Sequence, residues 1–152
     1  MGITVSEFRA SKKGDRVMNM QEINFLAVVV AAMSAFVVGG LWYSPLLFGS
    51  AWMRVNNFTE EQVGAFPKSR MFGCSIVLSL VMAANLAIFL ADAQTDWVWG
   101  LTAGFLAGAG WVATGITVVG LFENKSWTYI FINAGYNIIT FSLMGLIIGA
   151  WR

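Results

Sequence analysis

Amides, phenols and hydroxyls are the groups in this 152-residue sequence whose spacing lets them act together. Tyr129, Asn133, Tyr136, Asn137, Thr140 and Met144 recur at steps of three and four, which on a helix makes one stripe. Asn133 and Asn137 stand one turn apart, so their amides can reach the same partner. Ser75, Ser79, Met82, Asn85 and Asp92 follow similar steps, and Thr114 and Thr117 add to them. Such groups can bind a neutral solute or hydrogen-bond one helix to another. The groups that would move protons are missing. With no His there is no imidazole metal or haem ligand, no Ser-His-Asp triad and no His shuttle. Asp92 and Asp96 are four apart and could share a cation. Two carboxylates without further ligands read better as solvated link residues, so no metal and no cofactor are expected. A single Cys, Cys74, cannot form an intramolecular bridge and is expected to act as a small apolar residue. Walker, G-x-G-x-x-G and H-E-x-x-H patterns are absent.

The elements that carry these residues are set by where charge is missing. The chain is 58% hydrophobic and 11% charged, with a net charge of +1, and its mean hydropathy is +0.71. Soluble domains carry about 25% charged residues. Disorder, a basic nucleic-acid binder and a disulfide scaffold are excluded, and no nucleic-acid partner is expected. All 9 Lys and Arg and all 8 Asp and Glu avoid four windows: 23–42, 71–91, 97–122 and 126–151. Each is long enough for a helix crossing a hydrocarbon core of about 30 Å. Lipid forces the backbone to satisfy itself as helices or a closed barrel, and these windows lack the alternation of barrel strands. The expectation is an all-α integral membrane four-helix bundle over residues 23–152, preceded by a polar basic tail over 1–22. Trp42, Trp97, Trp99, Trp127 and Trp151 sit at window ends and Trp52 lies just beyond the first, placing six indoles as interface anchors. Only Trp111 is central.

A signal-peptide reading of the first window fails on its length and on the lack of an A-x-A-like site. In the tail, Met1-Gly2 with Ser6 fits the myristoylation pattern and is taken as chance, whereas Met18 and Met20 are candidate natural starts.

The connections differ in length. Pro45 ends the first helix, and the long stretch 43–70 holds an interfacial segment near Leu46–Val55. Thr59 with Gln62 fits a capping box for a short helix over Glu60–Ala65, and Pro67 suits the start of the second spanning helix. The links 92–96 and 123–125 are very short. They predict that helices two, three and four are antiparallel neighbours, with helix one tethered more loosely.

Small residues predict where helices touch. Gly100, Gly104 and Gly108 recur at four-residue spacing, with Gly115 on nearly the same face. Ala27, Ala31, Ala35 and Gly39 do so on helix one, and Gly145 and Gly149 on helix four. Packing within one bundle is favoured over a dedicated oligomer face. Lys and Arg number five on the side of the termini and four on the other, or one against four if translation starts at Met18 or Met20. The second count, with the acidic link 92–96, places the termini outside.

Two stretches carry a resemblance. Gly40-Leu41-Trp42-Tyr43-Ser44-Pro45-Leu46-Leu47-Phe48-Gly49 with Ala51-Trp52-Met53, and Phe131-Ile132-Asn133-Ala134-Gly135-Tyr136 with the closing Met144-Gly145 and Gly149-Ala150-Trp151, resemble a small bacterial membrane family known as domain of unknown function 1761. The resemblance covers about residues 20–152. In that family's pattern a His often follows the Gly-Tyr pair; Asn137 stands there in this chain. The resemblance implies a four-helix inner-membrane protein and supplies no activity, substrate or cofactor.

The function expected from these readings is non-enzymatic: an accessory or scaffold component in the bilayer, or a small homo-oligomeric bundle. The alternative is a transporter or channel for a small solute, lined by Asn85, Asn133, Tyr136, Asn137 and Thr140. An intramembrane enzyme ranks last, since acid–base work would fall to Tyr136, Asp92 or Glu123.

Overall fold

A computed structural model describes residues 23–92 and 94–151. The basic tail over 1–22, with its alternative starts at Met18 and Met20, lies outside the described residues, as does Arg152.

Four helices are long and apolar enough to cross a membrane: α1 (Phe25–Trp42), α4 (Lys68–Phe89), α5 (Trp97–Phe122) and α6 (Trp127–Ala150). Two short helices, α2 (Gly49–Val55) and α3 (Glu60–Gly64), lie between α1 and α4. Local chemistry sets their ends. The Asn24 side chain accepts from the Leu26 and Ala27 amides at 3.0 and 3.2 Å to open α1, Asp96 accepts from Trp99 to open α5, and Ser126 accepts from Tyr129 to open α6. The capping box at α3 forms, with Thr59 accepting from the Gln62 amide and the Gln62 side chain accepting from the Thr59 amide. The helices match the uncharged windows to within about a turn, and Lys68 starts α4 three residues before its window.

The packing order departs from the one expected from the links. α6 is the most buried of the spanning helices. It packs along α5 on one side and α1 on the other; α1 in turn packs along α4. The order across the bundle is therefore α4–α1–α6–α5. α4 and α5 are joined by the shortest link between long helices on their side, yet they do not pack along their length. Helix one is central rather than loosely tethered. A short link fixes only where two helix ends lie, whereas the small-residue faces fix which helices run together. Ala27, Ala31, Ala32 and Ala35 of α1 are buried, as are Ala83 and Ala87 of α4, with Leu90 just beyond its end, so this seam is alanine on alanine.

The α5–α6 seam is closer still, glycine on glycine. A Cβ at Gly100 would strike the Gly145 carbonyl oxygen, and one at Gly145 would strike that of Gly100. Gly104 faces the Phe141 carbonyl, Gly108 the Cα of Ile138, and Gly149 the Asp96 carbonyl. Each of these neighbours is backbone, so nothing can move aside without parting the helices.

Gly115, expected on this seam, is exposed with open space beside it. The cause is a π-helical stretch within α5, Ala107–Ala113. On an unbroken α-helix Gly115 would stand within about 20° of Gly108 at about 100° per residue. One inserted residue swings it about 120° off the face and brings Gly120 to within about 20° instead. Gly120 is indeed buried, and a Cβ there would lie 2.9 Å from the Ile130 side chain. The Thr114 hydroxyl bonds both the Gly110 and Trp111 carbonyls, at 2.6 and 2.9 Å, where the widened turn disturbs the backbone ladder.

Gly100→Ala and Gly145→Ala are each expected to destabilise the bundle by about 1–3 kcal/mol through overpacking. Gly73→Ala, with nothing within 4 Å of the added methyl, is expected to be neutral or slightly stabilising. Equilibrium unfolding in mixed micelles measures all three.

Candidate functional site

The two stretches that carry the family resemblance meet in space. α1 ends at Trp42, and the chain turns sharply: the Phe48 amide bonds the Trp42 carbonyl and the Gly49 amide the Ser44 carbonyl, at 3.0 and 2.9 Å. Gly49 is required there because a Cβ would strike the Tyr43 carbonyl oxygen and the Ser44 backbone. This turn holds Trp42 and Tyr43 against the first turns of α6. The Trp42 indole Nε1 donates to the Ile132 carbonyl at 2.9 Å, and its ring covers Gly135, where a Cβ would sit 3.0 Å from it. The Tyr43 hydroxyl donates to Asn133 Oδ1 at 3.0 Å. From α6 the Tyr136 hydroxyl reaches back to the Ala35 carbonyl of α1 at 3.2 Å, lying over Gly39. The Tyr43 and Tyr136 rings are 5.4 Å apart, and the contact continues from Tyr43 to Trp52, Phe58 and Phe66. An aromatic clamp thus ties α1, α2 and α3 to α6 at one end of the bundle.

Burial raises the Tyr43 phenol above its ordinary range, with the neighbouring Tyr136 and Tyr129 adding to the effect. The hydroxyl therefore stays protonated and remains a donor to Asn133.

The expected polar stripe is divided by this arrangement. Asn133 and Tyr136 join the clamp. The Asn137 amide donates to the Asn133 carbonyl at 2.9 Å, as Asn133 does to the Tyr129 carbonyl at 2.8 Å, and the Asn137 backbone lies beside Gly108 of α5. The Thr140 hydroxyl is fully buried and has no hydrogen-bond partner among the described residues. Asn85 is elsewhere, exposed on α4, with its amide donating to the Val81 carbonyl at 2.8 Å. Of the six indoles expected at the interface, Trp97, Trp99, Trp127 and Trp151 are exposed at helix ends, whereas Trp42 and Trp52 are half-buried in the clamp.

Asn85 instead faces a cleft of about 720 Å³ between α4 and α5. Phe141 of α6 forms its floor, and Leu86, Phe89, Trp99 and Trp111 stand on its walls. The π-helical stretch borders it through Ala107, Trp111 and Val112. Asp92 and Asp96 shape the link at its end: the Asp92 side chain accepts from the Gln94 amide and Asp96 caps α5. Among the described residues no three His, Cys, Asp or Glu side chains gather to hold a metal. Cys74 is exposed on α4.

Apart from the resemblance, sequence reasoning named Trp42 as an anchor, and it gave neither Trp42 nor Tyr43 a partner. The Trp-Tyr-Ser-Pro order marks a helix end, but nothing local says that Asn133 is the partner. The π-turn was missed as well; Gly108-Ala109-Gly110 with Thr114 just beyond is its only local trace.

Four bilayer-length helices packed through small residues, with two short helices folded beneath one end, define an integral membrane helical bundle. Within that class the chain belongs to the family described as Protein of unknown function (DUF1761), which matches residues 26–149. No curated protein and no solved structure matches it.

Asn133→Leu, which strands the Tyr43 hydroxyl, is expected to cost about 1–3 kcal/mol of stability, and adding Tyr43→Phe should recover part of that loss. Tyr43→Phe alone should cost about 0.6 kcal/mol. A double-mutant cycle by unfolding in micelles checks the pair; strictly additive costs would show that it contributes nothing.

Proposed function

We propose that the chain works without catalysis, as an accessory or scaffold subunit of a membrane assembly, either as a homo-oligomer or with other membrane proteins. The observation that supports this reading is the use made of the polar stripe. Asn133 and Tyr136 join α6 to α1 and its following turn, and Asn137 bonds back to its own helix, so these groups serve packing. The uncharged windows also offer no Asp, Glu, Lys or Arg at membrane depth, where proton and ion routes usually place them. The resemblance to a bacterial family points to the inner membrane.

A second reading, a small-solute pathway along α6, has one observation in its favour. Thr140 holds a buried hydroxyl with no partner among the described residues, inside the stripe. Replacing Asn133 and Asn137 with Leu would abolish flux into reconstituted vesicles if that pathway operates.

Orientation follows from charge. Arg54, Lys68, Arg70 and Lys125 belong to the end that carries the clamp, while Asp92 and Asp96 lie at the other. That other end counts Arg152 as its one Lys or Arg once the tail over 1–22, with its four, is left out. On that count of one against four the positive-inside rule turns the clamp end toward the cytoplasm, and with it the termini outward.

Cross-linking in native membranes followed by purification in mild detergent is expected to return a species larger than the monomer. Monomer alone would overturn the scaffold reading. In a Cys74→Ser background, Gln94→Cys should react with an impermeant maleimide in intact cells, and Lys125→Cys only after permeabilisation; the reverse pattern inverts the topology.

A further inference from the structure

We propose that the turn after α1, residues 43–49, is a phospholipid-binding surface sunk into the leaflet at the clamp end, with Leu46 and Leu47 among the acyl chains and Arg54, Lys68 and Arg70 at the level of the phosphates.

Helix lengths place the turn. α1, α4 and α6 are level at the end of the bundle away from the clamp, where Ile23 and Asn24, Ala87 and Ala91, and Ile148 and Trp151 line one small cavity. From there α1 runs 18 residues, α4 22 and α6 24, or about 27, 33 and 36 Å. The difference therefore falls at the clamp end, where α1 stops about 6–9 Å short of its neighbours. The clamp gives the same depth independently. The Trp42 indole bonds the Ile132 carbonyl, and Ile132 lies inside the start of α6 at Trp127 by about 7.5 Å. With α6 centred on a hydrocarbon core of about 30 Å, the turn begins about 4–5 Å beneath the core's edge. The Phe48 amide, returning to the Trp42 carbonyl, and the Gly49 amide, returning to that of Ser44, hold the chain at this level. Packing of Trp52 on Tyr43 holds the first turn of α2 there too.

The turn is built for that depth. Irregular backbone in hydrocarbon has no water to satisfy its polar groups. The Tyr43, Ser44, Leu47, Phe48 and Gly49 amides each bond a carbonyl between Gly39 and Ser44. The Ser44 hydroxyl bonds the Leu41 carbonyl, and Pro45 has no amide to satisfy. Among the described residues only the Leu46 amide of this turn is left over. Leu46 is 83% exposed and Leu47 47%, so their side chains face whatever surrounds the bundle at this depth. The segment also fills the gap that a short α1 would otherwise close by thinning the bilayer.

The order of side chains along the depth favours phospholipid. From Trp52 the chain climbs through ring contacts with Phe58 and Phe66 to the start of α4. Arg54, Lys68 and Arg70 are exposed along this climb and hold no carboxylate among the described residues. Glu60 and Glu61 stand in the first turn of α3, where the helix dipole favours them. Apolar side chains lie deepest, an indole next and unpaired cations outermost. That is the order of a leaflet: chain, interface, phosphate. A bilayer offers it on every side, whereas a second copy would need a face matched to it.

The test places a nitroxide at Leu46→Cys, in a Cys74→Ser background, on the purified protein in phosphatidylcholine nanodiscs. Collisions are measured with oxygen, which concentrates in hydrocarbon, and with a polar nickel chelate, which stays in water. Gln94→Cys is the water standard and Trp111→Cys the mid-bilayer standard, both at exposed positions. Nickel collision at Leu46→Cys is expected to be at least about fivefold below that at Gln94→Cys, because hydrocarbon excludes polar solutes, and oxygen collision above it. At Arg54→Cys the nickel value should fall between those of Leu46→Cys and Gln94→Cys. Nickel collision at Leu46→Cys equal to that at Gln94→Cys would put the turn in water and overturn the proposal. Low collision with both reagents would put protein over Leu46, a second copy where spin–spin broadening accompanies it, and would overturn it as well. A nickel value at Arg54→Cys as low as at Trp111→Cys would overturn the placing of the cations. None of these outcomes depends on which way the chain faces, since nanodiscs admit both reagents from either side, or on what it assembles with elsewhere on its surface.

Discussion

In hydrocarbon two helices gain nothing by hiding apolar surface from each other, so α5 and α6 hold together by letting their backbones touch. Gly100 against Gly145, with Gly104, Gly108 and Gly149 beside them, leaves no room for a single methyl group. Close approach brings many atoms within dispersion range and sets the carbonyl of one helix against the Cα of the other, a geometry that recurs at helix interfaces. With α5 along α6 and α4 along α1, α4 and α5 do not pack along each other. The order α4–α1–α6–α5 and the cleft between its outer helices follow from those pairings.

The π-turn belongs to the same constraint. A straight α-helix would carry the glycine face past Gly115 and turn Gly120 away from α6. One extra residue re-phases the helix so that contact continues to Gly120 and Ile130. Beside the wide turn the Thr114 hydroxyl bonds the Gly110 and Trp111 carbonyls, which keeps its own polar group satisfied in a lipid environment. The bulge also borders the cleft between α4 and α5.

At the other end the membrane sets a different demand. Where α1 stops, the chain must turn with its polar groups satisfied near the interface. The Trp42 indole and the Tyr43 and Tyr136 phenols do this by bonding across to α6 and back. The two stretches that carry the family resemblance are thus two halves of one contact, separated by 90 residues in sequence. That pairing explains why both stretches stand out in a chain whose remaining polar residues are sparse.

Much of this was legible in the residues. The uncharged windows located the spanning helices, Thr59 with Gln62 located a short helix, and the glycines at 100, 104 and 108 marked a packing face, because each rests on local periodicity or capping. The choice of neighbours was not legible. Short links suggested that α4 should lie beside α5, but link length limits only where helix ends can be, and the seams decided otherwise. The stripe on α6 could be drawn from spacing, yet spacing could not say that Tyr43 would take Asn133, that Asn85 would face a separate cleft, or that Gly120 would replace Gly115. Sequence determined the solvent, the helices and the faces available for contact, since those depend on transfer free energy and helical period. Tertiary structure alone decided which faces met, because that depends on how closely two backbones can approach, a property of pairs of helices that neither one carries by itself.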